Sequence, residues 1–188
     1  MTEYFWETGN TRLRPMVEAD VDHYLAADLD SEAKRTLNLH IGLPRSRESQ
    51  LEALPVNFKN APGRLDFAME SLDGTFVGFA AIDRIEEQSG NFSTVTFVLA
   101  DHRRNNHADE AKELMLRYMF EERRFEKYNT DCMETNEAIM AHLRKIGCVE
   151  EGRRRRSIFT NGRYYDEVLF GMTRDEWLAA RGGEKADD

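Results

Sequence analysis

Cysteine is scarce in this 188-residue chain: only Cys132 and Cys148 are present, and their spacing suggests no metal site. The spacing leaves a disulfide open; the two are read as buried, reduced thiols. The five histidines are scattered without an HxxxH or HxH pair, so no metal is expected. Apolar runs are short. "FVGFAAI" is among the longest and falls far below the length needed to cross a bilayer, so no membrane partner is expected. Positive charge is also in deficit, with 26 Lys and Arg against 35 Asp and Glu, a net charge of −9. A duplex-binding surface needs the opposite field, and no nucleic-acid partner is expected. The start of the chain, "MTEYFWETGN", carries acid early and lacks a basic-then-apolar order, so no secretory signal is expected and a cytoplasmic location is the default.

What remains is an ordinary globular composition, 40% hydrophobic and 32% charged. A chain of this length suits one domain around a sizeable core, taken as residues 1–180, followed by a polar, flexible tail over 181–188. The one basic block is "RRRR" at 153–156. It reads as a strand whose alternate arginines lie on opposite faces, their stems covering apolar surface. The alternative is a site for an anionic substrate or a donor's phosphate.

The patterning gives an order of elements. "TRLRPM" is a short strand, Asp20 a plausible N-cap for a helix carrying Val21, Tyr24 and Leu25, and Ser46 the start of a helix that breaks near Pro55. "RLDFAME" and "TFVGFAAI" flank Asp73-Gly74, a hairpin signal, and "EEQSGN" turns into "FSTVTFVLA". From residue 107 the period changes to helical, with Ala108, Ala111, Leu114, Met115, Tyr118 and Met119 on one stripe. A strand "KYNTDCM" follows, then a helix capped by Thr135 or Asn136 and closed by Gly147, then "RRRRSIF" and "YYDEVLFGM" joined through Asn161-Gly162. An antiparallel meander followed by a strand–helix–strand crossover is an α+β layer with a mixed, mostly antiparallel sheet and flanking helices.

One junction raises a chemical question. A strand feeding directly into a helix normally lets backbone amides hold a phosphate. Yet "HRRNNHADEA" contains no glycine to shape that turn. Asparagine is among the side chains that best tolerate a left-handed backbone, so Asn106 can keep such a turn at a cost of about 1 kcal/mol. The competing reading is that Asn106 and Asp109 simply cap the helix.

The chain resembles the GNAT acyltransferases from about Thr11 to Trp177, and in particular the branch that acetylates protein N-termini and related amines. "NEAIMAHLRKIGCVEEGRRRRSIFTNGRYYDEVLFGMTRDEW" carries the resemblance most strongly, through its Asn-led helix, its Gly-closed end, its "EEG" strand start and its "NGR-aromatic" hairpin ending in Glu-Trp. "TRLRPMVEADVDHY" and "FAMESLDGTFVGFAAI" add the opening strand and the central hairpin. The family's coenzyme signature, Gln/Arg-x-x-Gly-x-Gly/Ala, falls on Arg103-Arg104-Asn105-Asn106-His107-Ala108. Its middle glycine is Asn106.

The resemblance implies a GNAT acyl-CoA N-acyltransferase fold and transfer of an acetyl group from acetyl-CoA to a primary amine of a small molecule or a peptide N-terminus. A catalytically impaired GNAT-fold protein that binds CoA or another anion as a sensor is the alternative. It places the coenzyme against Val98, Leu99, Arg103, Arg104, Asn105, Asn106, His107, Ala108, Asp109 and Asn136, and the acceptor near His40, Tyr164, Tyr165 and Asp166. It also leaves room for a homodimer. Two proton-transfer groups common in relatives are missing: a Glu near Ser93, and a Ser or Tyr at Ile139 or Leu143. Asp83, at a strand end, with Glu86 and His40, is a candidate base, and His142, beside the leaving-group position, a candidate acid.

Overall fold

The computed structural model describes residues 4–59 and 62–181. Of the expected tail, only Arg181 falls among them; the rest lies outside the described residues.

Seven strands form one sheet. They are β1 (Thr11–Pro15), β2 (Leu65–Ser71), β3 (Phe76–Glu86), β4 (Asn91–Val98), β5 (Lys127–Met133), β6 (Val149–Thr160) and β7 (Arg163–Thr173). Their spatial order is β1-β2-β3-β4-β5-β7-β6. Every pairing is antiparallel except β4 with β5. The helices are α1 (Val21–Asp28), α2 (Ser31–Asn38), α3 (Arg47–Ala53), α4 (His107–Arg117), α5 (Glu137–Lys145) and α6 (Arg174–Ala180). Among the described residues, no helix is long and apolar enough to cross a membrane.

Each face of the sheet owes its core to strand alternation. On one face, Phe67, Met69, Ala80, Ile82 and Phe92 meet Ala111, Leu114, Met115 and Met119 of α4. On the other, Ala68, Phe79 and Phe97 meet Tyr24 and Ala27 of α1 and Ala33 and Leu37 of α2. Tyr24, Phe79 and Phe97 stack in sequence at centroid distances of 4.3 and 4.8 Å. Gly78 serves a close approach here, since a Cβ at that position would lie 2.1 Å from the Phe97 carbonyl oxygen. Both cysteines are buried and unpaired, and burial raises each thiol to about 11.

Several expectations are met at the atomic level. Ser46 accepts from the Ser49 amide at 3.2 Å, Asn136 accepts from the Ile139 amide at 3.2 Å, and Asn161 and Gly162 both take positive φ in the last hairpin. Asp20 behaves differently. Its carboxylate accepts from the Val17 amide at 2.9 Å and pairs with Arg14, so it closes the 3-10 turn before α1 instead of capping α1 itself.

The arginine block also departs from simple alternation. All four side chains, Arg153 to Arg156, are exposed on the sheet's edge strand, and the β6–β7 register shifts between Arg154 and Ile158. Arg156 takes φ +53° and its amide is captured by the Asp166 carboxylate at 2.8 Å. Arg153 and Arg154 pair with Glu150 and Glu167.

Candidate active site

The parallel pair at the sheet's centre is brief. β4 and β5 are in register only at Asn91–Lys127 and Phe92–Tyr128. Beyond Phe92 the two strands part, and one edge of β4 has no strand beside it. A cleft of about 660 Å³ fills the wedge, walled by β4 from Ser93 to Val98, by Thr130–Cys132 of β5, by the start of α4, and by Asn136 and Ile139 at the start of α5.

The segment from β4 to α4 supplies the cleft's polar end. Arg104 and Asn106 take φ of +69° and +62°, both left-handed. Asn106 occupies the N-cap position of α4, yet its side chain makes no capping bond, so its role is conformational. The first bond of the helix runs from the Glu110 amide to the Asn106 carbonyl at 3.0 Å. The six preceding amides, from Arg104 to Asp109, have no acceptor among the described residues. Left-handed residues alternating with others turn successive N–H groups toward one concavity, and the helix end adds a partial positive charge. The two left-handed residues in this turn, Arg104 and Asn106, are not glycines.

Side chains supplement it. Neither Arg104 nor Lys112, both at the cleft wall, has an ion-pair or hydrogen-bond partner among the described residues. Lys112 is also buried. It stands one helical turn after Ala108 on the same face of α4, and that spacing was the sequence signal for it. Arg103 is engaged differently. It donates to the Val98 carbonyl at 3.1 Å and pairs with Asp30 of α2 at 2.6 Å, so it closes one side of the cleft instead of pointing freely into it.

The residues singled out in the sequence divide accordingly. Val98, Arg103, Arg104, Asn106, His107, Ala108, Asp109 and Asn136 all line the cleft. Leu99 and Asn105 do not. The Leu99 amide is committed to the Val77 carbonyl at 2.9 Å, and the Asn105 carbonyl accepts from Asn10 at 2.7 Å beside a separate polar pocket. His107 reaches the cleft wall while its buried ring pairs Nδ1 with the Thr11 hydroxyl at 2.9 Å. Asp109 is half exposed and approaches His142 Nδ1 at 3.5 Å.

That contact draws His142 into a neighbouring cavity between α4 and α5, outside the cleft, which corrects its placement as a proton donor to the reacting sulfur. The acceptor positions likewise fall outside the cleft walls. His40 is exposed after α2, Tyr164 packs on Phe159 and beneath Arg156, and Asp166 is consumed by the Arg156 amide. Tyr165 is buried, its hydroxyl accepting from Arg163 at 2.5 Å. Asp83 stands behind the wall, directly across from Ser93 in the β3–β4 register.

In place of those positions, α2 forms the far side of the cleft through Asp30, Glu32, Ala33, Thr36 and Leu37, and the Arg84–Asp131 pair sits at its mouth. Arg35 of α2 donates to the Thr160 hydroxyl, tying α2 to the last hairpin. Among the described residues, no group of three or more His, Cys, Asp or Glu side chains could hold a metal ion.

A wedge of this kind, ending in a run of unpartnered amides, can be compared with known proteins. The family model for the acetyltransferase (GNAT) domain matches residues 10–149. An SPbeta prophage-derived uncharacterized N-acetyltransferase of Bacillus subtilis (strain 168), YokL, is 31% identical over 183 residues, covering 97% of this chain and all of the relative. The chain belongs to the GNAT family of acetyltransferases. Its seven-stranded mixed sheet with flanking helices is the GNAT fold. A spermidine N-acetyltransferase from Vibrio cholerae, solved with CoA and spermine, superimposes with a TM-score of 0.80 at 18% identity, over 91% of this chain and 99% of that one. A putative acetyltransferase from T. thermophilus gives 0.75 at 24% identity, over 95% and 96%. The departures that the resemblance implies for this GNAT chain fall at Asn106, Asp109, Ser93, Ile139 and Leu143.

Proposed function

We propose that the protein transfers an acetyl group from acetyl-CoA to a primary amine, of a small molecule or a peptide N-terminus. The observation that carries this reading is the run of unpartnered amides from Arg104 to Asp109, five of whose six residues line the end of an open wedge between β4 and β5. The residues present fit the coenzyme. The amides and the cations Arg104 and Lys112, free among the described residues, suit a pyrophosphate, and the unpaired edge of β4 suits an amide-bearing arm. The thioester supplies an activated acyl group; the chain's part is to hold it and to bring the amine alongside.

The acceptor end is mixed in charge. Asp30 is committed to Arg103 and Asp131 to Arg84, which leaves Glu32 as the unpaired carboxylate at that rim among the described residues. This favours a cationic amine that meets Glu32 first, and an amine-bearing peptide N-terminus fits the same opening. The structural relative from Vibrio cholerae that was solved with spermine is consistent with such an acceptor.

A second reading has its own observation. Ile139, apolar, stands in the cleft at the start of α5, and no hydroxyl side chain takes its place. A CoA-binding module without turnover would look the same at that point. Mixing the protein with acetyl-CoA and a panel of amines decides between them. Amine-dependent release of free thiol is expected. No release above the blank with any amine, at high protein concentration, overturns acetyl transfer, and calorimetric CoA binding under the same conditions then establishes the second reading.

A further inference from the structure

We propose that Ser93 and Asp83 form a proton relay, with the Ser93 hydroxyl at the cleft wall receiving the proton of the acceptor ammonium and passing its own to Asp83 behind it. The inference rests on the acetyl-transfer reading and assigns the base which that reading lacks.

The geometry singles out this pair. Ser93 is buried at the cleft wall, on the first stretch of β4 beyond its pairing with β5. Asp83 is its direct cross-strand partner on β3, so the two side chains share a face of the sheet. Asp83 Oδ2 sits 3.4 Å from Arg64, whereas Oδ1 is fully buried without a hydrogen-bond partner. A buried acceptor left unfilled is destabilising, and such an atom in a native site calls for a functional account. The Ser93 hydroxyl stands near enough to favour the ionised carboxyl without closing a bond to Oδ1. Rotation about the Ser93 side chain completes that bond once an amine occupies the other side of the hydroxyl.

Of the other carboxylates at the cleft, three are otherwise placed, and Glu32, unpaired among the described residues, is an exposed rim group on α2. Asp30 caps α2 and holds Arg103, Asp131 holds Arg84, and Asp109 lies at the phosphate end. Burial pushes the Asp83 carboxyl above its ordinary value and Asp131 on β5 adds to this; Arg64 from the segment before β2, Arg84 on β3 and the Ser93 hydroxyl oppose it. Arg64 is itself anchored by Asp66 on β2. A carboxylate so raised is a better base toward an ammonium than one in water.

The balance is simple. The ammonium loses one proton to the Ser93 oxygen as Ser93 gives its proton to Asp83. The neutral nitrogen then forms the C–N bond, the C–S bond breaks, the nitrogen's surplus proton goes to the departing sulfur, and Asp83 returns its proton to solvent.

Steady-state kinetics of the full chain over pH tests this. Asp83→Asn and Ser93→Ala should each lower kcat by about 100-fold, with the amine KM within about threefold, and should abolish the acid limb of the pH profile. Ser93→Thr, which keeps the hydroxyl, should retain kcat within about threefold. CoA affinity by calorimetry should be unchanged in all three, which separates relay loss from misfolding; should Asp83→Asn fail to bind CoA, Ser93→Ala and Ser93→Thr decide. Retention of kcat and of the acid limb in Asp83→Asn or Ser93→Ala, in a protein whose wild type turns over, overturns the relay alone. A wild type that releases no thiol with any amine overturns the acetyl-transfer reading, and the relay with it.

Discussion

Replacing Asn106 by glycine and by alanine measures whether the amide cradle depends on backbone conformation alone. Asn106 has φ +62° and its side chain makes no capping bond, so nothing but its tolerance of the left-handed region recommends it. Asparagine visits that region more readily than most residues, yet at a strain on the order of 1 kcal/mol. Glycine relieves the strain but adds freedom to the unfolded chain, for a net gain of about 0.5 kcal/mol. Alanine keeps a Cβ and loses the asparagine's local tolerance, for a loss of about 1 kcal/mol. In a chain of this size each kcal/mol moves Tm by roughly 2–4 °C, so the melting order should be glycine, asparagine, alanine, spread over about 3–6 °C. The ligand readout is sharper. If alanine turns one or two cradle amides away, each charge-assisted bond lost is worth about 1.5–3 kcal/mol, and CoA should bind at least tenfold more weakly by calorimetry. Glycine, with no side chain beside the phosphates, should bind it severalfold more tightly. An alanine variant that melts with the wild type and binds CoA as well would refute both the left-handed turn and the cradle built on it.

Other outcomes follow from the same geometry. Asp109→Asn removes a half-exposed negative charge from the cleft's phosphate end, so CoA affinity should rise about three- to tenfold, with the gain shrinking as salt is added and helix stability falling by about 0.3–1 kcal/mol. Lys112→Met keeps the stem that packs at the cleft wall but removes the free cation, and calorimetry should show CoA binding weakened about tenfold with little change in Tm. Thr173→Ala removes the capping box that Thr173 and Glu176 close at 3.3 and 2.7 Å, and should cost about 1 kcal/mol in urea unfolding. Burial holds the His107 and His142 imidazoles below the ordinary histidine value, with Lys112 adding to the effect at His142. The unfolded chain therefore binds more protons as pH drops through about 6.5, and the urea midpoint should fall from pH 7.5 to 5.5 by more in the wild type than in His107→Gln.

Strand order, the hairpins and the crossover were legible because each rests on local chemistry: Asp73-Gly74, Asn161-Gly162, and the change from period 2 to period 3.6 at residue 107. Two helices escaped that reading for opposite reasons. α2, "SEAKRTLN", buries no residue fully, and its apolar side is only Ala33 and Leu37; it is held by the Asp30 cap at 3.0 Å and by those two residues against the Ala68–Phe79–Phe97 cluster, too short a pattern to stand out in the sequence. α6 did have a signal, Thr173-x-x-Glu176, but it was concealed by the strand that runs straight into it. The arginine block failed on register. One shift in pairing between Arg154 and Ile158 interrupts the alternation at Arg155 and Arg156, and a shift depends on two strands at once.

The same distinction explains the site. The cradle was half visible, since Asn106 is a residue type that can replace glycine in φ. What could not be read was that Arg104 is left-handed as well, so that the turn carries two such residues. A motif written in glycines records where the backbone needs freedom; a chain can meet the need with residues that bear the strain, and then the motif is lost from the sequence while the donors remain. Catalytic side chains obey no such economy. A base can move from β4 to the facing position on β3 without disturbing the fold, because a cross-strand pair occupies nearly the same space as a single longer side chain. Ser93 with Asp83 spans from cleft wall to neighbouring strand in that way. Residue-by-residue matching finds nothing at Ser93, whereas the sheet register brings a carboxylate directly opposite it.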